Sequence, residues 1–463
     1  LFKRPERWLL VMALVFGAVY AFLVPPFQVP DETSHFYRAY HLSQGYLMGA
    51  TTADHRLGGA LPRSLAILDR SFRPLRYQYD TSISIDSLLR ASHLPLHPED
   101  RIFVDFANTG YYAPLPYLPY AAVLRILRSL RLPPLWLLYA GRLTGLLVWT
   151  VSVYQAIRLL PYHRWTLATA ALLPASLFIH AGLSGDTLTN AFAFLLIALQ
   201  LRLIYDPERP FHWKEGFWLL VLSTTITVSK VVYAPLVLLS LLIPRSRFRT
   251  ARHYWAWKTL LILLNGAILF AWYYYAGDKF IPYDQYHPLY RDGQQLNPGV
   301  QPRAQLAYIL KHPLGFARTL LLSFWETIPA TTAHYTGKFG WEKNYLPAPL
   351  VALLAASLLF AALFENNENA RPACRHRLTF LGIALWMSIA LATVLYMQWH
   401  TVGNPRITSL GGRYFIPILP LCWLALKQNR YSVPQRRLTA WLQLVILLSL
   451  GWGVVGVLQR YYL

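Results

Sequence analysis

Two adjacent carboxylates, Asp31 and Glu32, follow a proline-rich run in PPFQVPDETSHFYRAY, residues 25–40. Acids placed where an apolar helix ends have two uses. They can cap the next helix, Asp31 at its N-terminus and Glu32 as a first-turn anion. Alternatively, one of them serves as general base or metal ligand at the mouth of a cavity. His35, about one helical turn on, faces the same side. Pro25, Pro26 and Pro30 stop the preceding helix and hold the carboxylates at a fixed height. Charge recurs at three distant places. Ser184-Gly185-Asp186 reads as a turn and helix cap or as a second working acid. Lys230, in TTITVSKVVYAPL, is an isolated cation between apolar runs, costly unless it snorkels, pairs or binds something. Arg406 and Arg413 lie in NPRITSLGGRYFIPILP, where a guanidinium fork beside Tyr414 suits a phosphate, and an interfacial anchor is the plainer use. His334, Trp341 and Glu342 are weaker candidates, and Trp341 also fits an aromatic belt.

The elements that must position these groups are apolar blocks of membrane-crossing length. Candidate spans cover 8–26, 136–160, 165–183, 187–205, 214–229, 231–244, 258–276, 347–364, 378–399, 412–427 and 438–458. The stretch 115–130 decides the parity of all that follows. If it does not cross, the basic loops 158–164, 209–214, 245–258, 371–377 and 427–437 all lie on the side of Lys3, Arg4 and Arg7, as the positive-inside rule favours. If it crosses, the densest cluster (Arg245, Arg247, Arg249, Arg252, Lys258) falls outside. We therefore read 115–130 as a juxtamembrane or re-entrant helix, which leaves Arg125, Arg128 and Arg131 outside. The expected fold is an all-α polytopic integral membrane protein of about eleven spans (ten to thirteen). It has two large outer loops, 27–135 and 277–346, bearing interfacial helices such as 36–48 and 304–324. The domain reading is a catalytic transmembrane module over 1–276, the second outer loop over 277–346, and C-terminal helices over 347–463. Asp31, Glu32, Asp186, Lys230 and Arg413 then share one membrane face.

Bulk properties agree. Only 14% of the 463 residues are charged and 55% are hydrophobic, with a mean hydropathy of +0.32. A soluble domain carries roughly a quarter charged residues. The net charge of +22 is spread over many short loops, which fits topology anchors and excludes a nucleic-acid face. Cys374 and Cys422 give neither a disulfide framework nor metal spacing. The basic start followed by an apolar run resembles a signal peptide without a small-residue cleavage site, so the first span is expected to be retained.

The segment at 25–40 resembles a family of bacterial predicted membrane proteins marked by P-x-Q-x-P-D-E-x-x-H. The SGDTLTN stretch at 184–190, SKVVY at 229–233 and GGRYFIPILP at 411–420 agree with it. That family is in turn similar to the GT-C superfamily, multi-span glycosyltransferases that use lipid-phosphate-linked sugars. The resemblance implies a GT-C-like fold, a catalytic or metal-binding acid in the first outer loop (Asp31 or Glu32) and a second acid after the third span (Asp186). It implies Mg²⁺ or Mn²⁺ on Asp31 and Asp186 if a divalent cation is used, although no D-x-D pair stands at 184–190. The expected function is transfer of a sugar from a polyprenyl-phosphate donor to an envelope glycan or lipid acceptor at the outer face of the bacterial inner membrane. Asp31 or Glu32 would act as base, with His35, Asp186, Lys230, Arg406, Arg413 and Tyr414 binding substrate. Membrane lipid is a further partner. A lipid-linked glycan flippase, a polysaccharide polymerase or ligase, and a non-enzymatic assembly partner are the alternatives.

Overall fold

A computed structural model describes residues 2–206, 210–341, 344–365, 372–428, 431 and 433–463. Glu342, Arg209 and Arg371 lie outside the described residues. Helix α1 (Pro5–Leu23) starts with Pro at its first turn and ends where Pro25 and Pro26 remove further N–H donors. After the turn come α2 (Glu32–Ser43), β1 (Ala50–Thr51), β2 (Leu57–Pro62), α3 (Arg63–Phe72), α4 (Ile85–Ser92), β3 (Arg101–Asp105) and α5 (Leu118–Ser129). The strands form an antiparallel sheet in the order β1-β2-β3. The described chain is mostly helical, as expected of an all-α membrane protein, and this small sheet is an unforeseen addition to it. Its signal was faint because β2 reads LGGALP, and Gly58 is needed there because a Cβ would meet the Val104 carbonyl. Helix α2 also differs from the expected interfacial helix. It is buried nearly all round, wedged against α5 and β2.

The remaining helices are α6 (Pro134–Leu159), α7 (Arg164–Ala171), α8 (Pro174–His180), α9 (Gly185–Tyr205), α10 (Trp213–Ser229), α11 (Ala251–Ala276), α12 (Pro288–Arg291), α13 (Pro302–Lys311), α14 (Pro313–Gly337), α15 (Ala348–Phe364), α16 (Cys374–Trp399), α17 (Leu419–Leu426) and α18 (Gln435–Tyr461). Among the described residues, six stretches are long and apolar enough to cross a membrane: α1, α6, α9, Ala251–Lys279, α16 and α18. They leave large apolar side chains such as Val15, Leu147, Leu263, Phe270, Leu385 and Leu448 exposed, the surface that lipid covers. Three expected spans are not continuous α-helices, and proline is the reason each time. Pro174 breaks 165–183 into α7 and α8. Pro235 sits in a 3₁₀ segment, Val231–Leu242. The last broken span becomes a 3₁₀ turn, Gly412–Phe415, and α17, with Pro420 near the start of that helix. Helix α5 has 12 residues, about 18 Å of helix, too short to cross.

Within the expected second loop, α14 is a 25-residue helix rather than a short interfacial piece. It lies along Arg406–Gly412: Glu326 pairs with Arg406, Ser323 accepts from the Ile407 N–H, and Thr331 donates to the Leu410 carbonyl.

The basic loops meet at one end of the bundle. Phe211 N–H donates to the Arg247 carbonyl at 2.8 Å, and the Tyr205 hydroxyl lies 2.9 Å from His376 Nδ1. The Glu365 carboxylate accepts the Trp165 and Thr166 N–H groups while Lys427 Nζ donates to its carbonyl. The polar residues described next lie at the other end.

Candidate active site

The turn between α1 and α2 is conformationally costly. Phe27 and Asp31 both have positive φ, 64° and 66°, and a non-glycine residue held there costs about 1–3 kcal/mol. Glu32 holds the turn. Its carboxylate, fully buried, accepts from Arg142 at 2.8 and 2.6 Å and from the Phe27 and Leu183 N–H groups, both at 3.0 Å. Arg142, equally buried, also donates to the carbonyls of Ala21, Val24 and Pro25, which end α1. Glu32 is thus saturated and does not line the cavity. Asp31 occupies the N-cap position without capping. Its left-handed backbone turns the carboxylate the other way, onto Arg413.

That carboxylate borders a cavity of about 970 Å³. Asp31, His35, Asp186, Lys230, Arg413 and Tyr414 all line it. Ser184 caps α9, accepting from the Asp186 N–H at 3.1 Å, which leaves the Asp186 side chain for Lys230 Nζ at 2.7 Å. Lys230 terminates α10, where the helix dipole favours a cation. Tyr414 joins the two pairs. Its ring centroid is 4.8 Å from Lys230 Nζ and 4.9 Å from the Arg413 guanidinium carbon, and its hydroxyl accepts from Arg413 at 2.9 Å. The Gly411-Gly412 pair lets this turn dock: a Cβ on Gly412 would strike the Thr331 carbonyl and Tyr335 nitrogen of α14. His35 Nδ1 lies 2.7 Å from the Tyr117 hydroxyl.

Burial raises the Asp31 carboxyl, but the charge of Arg413, then that of His35, outweighs it and leaves it below its ordinary value. Burial lowers His35, against the pull of Asp186 and Asp31.

Arg406 is not part of this cluster. It is half exposed and paired with Glu326 at 2.7 Å. His334 bonds Tyr345, and Trp341 Nε1 donates to the Phe27 carbonyl at 3.2 Å, bracing the strained turn. Several lining residues were missed from sequence. Asn108, Tyr112, Gln285, Gln301 and Gln398 add amides and a phenol, and Trp272 of α11 and Leu391, Val394 and Leu395 of α16 form an apolar wall. The Tyr- and Pro-rich character of NTGYYAPLPY was the only hint. Arg142 had a clear signal, a lone cation inside the apolar run LLYAGRLTGLL.

The residues present do not suit a divalent cation. Asp31 and Asp186 each already face a fixed positive group, and no cluster of three or more His, Cys, Asp or Glu occurs among the described residues. Mg²⁺ prefers an octahedral oxygen shell free of such cations.

A family model described as "Predicted membrane protein (DUF2142)" matches residues 14–422. No curated protein and no solved structure matches the chain.

Proposed function

The chain belongs to the DUF2142 family of predicted membrane proteins, and from that premise we propose that it is a membrane glycosyltransferase using a polyprenyl-phosphate-linked sugar. One observation carries this reading: two carboxylates and two cations from four distant segments converge on a single cavity with an apolar wall. Such a pocket accommodates a phosphate on the cations, a prenyl chain against α11 and α16, and sugar hydroxyls on the amides of Asn108, Gln285, Gln301 and Gln398. The acceptor is a hydroxyl-bearing envelope glycan or lipid.

In the proposed reaction Asp31 takes the proton of the acceptor hydroxyl as its oxygen bonds to the anomeric carbon. The bond from that carbon to the phosphate oxygen breaks, and the pair of electrons leaves on polyprenyl phosphate. Lys230 and Arg413 meet the charge that grows there. A donor phosphate drawing Arg413 away also removes the group that holds the Asp31 carboxyl low, making it a better base when the donor is bound. Glu32 takes no part in proton transfer. It positions Asp31, and Asp186 orients Lys230. No step is routed through a metal.

For the topology, we read eleven segments as crossings in a GT-C-like arrangement: α1, α6, the α7–α8 pair, α9, α10, Val231–Leu242, α11, α15, α16, the stretch 412–426 that ends in α17, and α18. The positive-inside rule assigns the basic end to the cytoplasm, so the cavity opens outward from the inner membrane. The test is transfer in proteoliposomes supplied with a polyprenyl-phosphate sugar. Asp31→Asn should lower turnover by about 10²–10⁴-fold. Full transfer by this variant overturns the base assignment, and no transfer by the wild type from any such donor overturns the activity.

A further inference from the structure

A second cavity, about 500 Å³, lies at the basic end, lined by Gln155, Arg158 and Leu159 of α6, the link Leu160–Pro161, Arg164, and Arg202, Tyr205 and Asp206 at the end of α9. It shares no residue with the candidate active site. Three guanidinium groups face one carboxylate there, and none of the four is in an ion pair among the described residues.

Two of these arginines have a local reason to be present. Arg158 and Arg202 sit in the last turns of their helices, where the dipole favours a cation. Arg164 does not share it. It is the first residue of α7, where the dipole disfavours positive charge. The acid that serves this helix start, Glu365, is occupied by the Trp165 and Thr166 N–H groups and the Thr166 hydroxyl. The Nε of Arg164 donates to the Leu160 carbonyl at 2.7 Å, which fixes the side chain and leaves its terminal nitrogens for another acceptor. A fixed guanidinium at an unfavourable helix position, beside two more and an apolar rim of Leu159, Leu160 and Pro161, needs an anion that also has an apolar part.

We propose that this cavity seats the phosphate head of an anionic phospholipid from the leaflet opposite the candidate active site. The reading is independent of the glycosyltransferase proposal and needs only that α6 and α9 are embedded in a bilayer. The same phosphate chemistry could come from a soluble ion, and the experiment separates the two. The full-length protein is placed in phosphatidylcholine nanodiscs containing a minor fraction of phosphatidylglycerol, and bound lipid is counted by native mass spectrometry. Phosphatidylglycerol should be retained over phosphatidylcholine, and each guanidinium removed, in Arg158→Gln and then Arg158→Gln with Arg202→Gln, should weaken retention about tenfold. Arg158 and Arg164 are exposed and Arg202 is half-buried in the last turn of α9, so these changes stay outside the core. Arg164→Lys, which keeps the charge without the fork, gives a milder loss and serves if the double variant does not fold. Equal retention by wild type and variants refutes the site. Displacement of phosphatidylglycerol by millimolar inorganic phosphate, with equal stabilisation in neutral nanodiscs, refutes the lipid assignment.

Discussion

Asp31 and Glu32 are neighbours of the same chemical type, yet substituting them should produce opposite kinds of failure. The Glu32–Arg142 pair is fully buried. Removing one partner of such a pair leaves the other as an uncompensated charge and costs about 3–5 kcal/mol. Glu32→Gln also gives the Phe27 and Leu183 N–H groups a poorer acceptor and turns an amide N–H₂ toward the guanidinium. We expect Glu32→Gln to be destabilised within that range, to unfold at markedly lower denaturant in detergent, and to retain most transfer per folded molecule. The Asp31–Arg413 pair is partly exposed, 14% and 23% for the two side chains. Asp31→Asn should cost only about 1–2 kcal/mol, between the surface and buried limits, while turnover falls by about 10²–10⁴-fold. A double-mutant cycle over Glu32→Gln and Arg142→Met adds a second reading. Arg142→Met also strips donors from three carbonyls of α1, so both single changes are harmful, and the coupling should lie high in the usual range of about 0.5–3 kcal/mol. A Glu32→Gln protein as stable as wild type but unable to transfer, beside an active Asp31→Asn, refutes the division of labour.

Four further outcomes follow from the same geometry. Lys230→Met and Arg413→Lys should lower turnover about 10²–10³-fold and about tenfold respectively, because one loses a charge facing the leaving phosphate and the other only its fork, measured as kcat with saturating donor. The pH dependence has a defined sign. The Asp31 carboxyl titrates below its ordinary value of 3.8 in the folded protein, so the stability it contributes is present above that value and is lost as pH falls through the lower, folded one. The stability gap between wild type and Asp31→Asn should therefore hold constant on acidification to near that value, and a gap that closes by about pH 5 contradicts the lowered carboxyl. Gly412→Ala should displace Arg413 and reduce both stability and donor affinity, because the new Cβ meets the backbone of α14; an unchanged KM for donor refutes the docking role. Cysteines introduced at 31 and 413 should be labelled from one side of the membrane and those at the exposed positions 158 and 164 from the other, and labelling 31 and 413 from opposite sides ends the proposal for the site.

Much of this was legible because charge at the ends of apolar runs is rare and parity does the sorting. Once 115–130 is left uncrossed, Asp31, Asp186, Lys230 and Arg413 must share a face, and the cavity gathers them. What the chain does not display is which cation meets which carboxylate, since that depends on helix packing far away in sequence. The roles within the Asp31–Glu32 pair were hidden for a local reason: a single positive φ turns one carboxylate to the cavity and leaves the other in the protein interior. Arg406 was grouped with Arg413 because both precede a span, but its partner, Glu326, belongs to a helix concealed in what reads as loop. Pro174 and Pro235 stand in plain view, yet hydropathy alone runs straight through them.

The interior between the two ends bears on whether the cavity is a site of chemistry or one station on a route. Trp149 of α6 stacks on His180 of α8 with ring centroids 3.6 Å apart and planes 3° from parallel, and Phe194 of α9 closes on Trp149 at 5.4 Å. All three are buried, and His180 spends both nitrogens locally, on the Ser176 carbonyl and the Asn190 amide. This layer lies midway along α6 between Arg142, which serves the outer turn, and Arg158, which lines the basic cavity. A solute carrying phosphate or sugar that passed here would have to part a stacked aromatic layer in which Trp149 Nε1 is the unpartnered donor, at a cost in both desolvation and packing. Charges placed for passage are expected along the interior near the bilayer midplane. Here they are paired at one cavity with an apolar wall for a lipid chain, the arrangement that the proposed transfer on one side of the membrane needs.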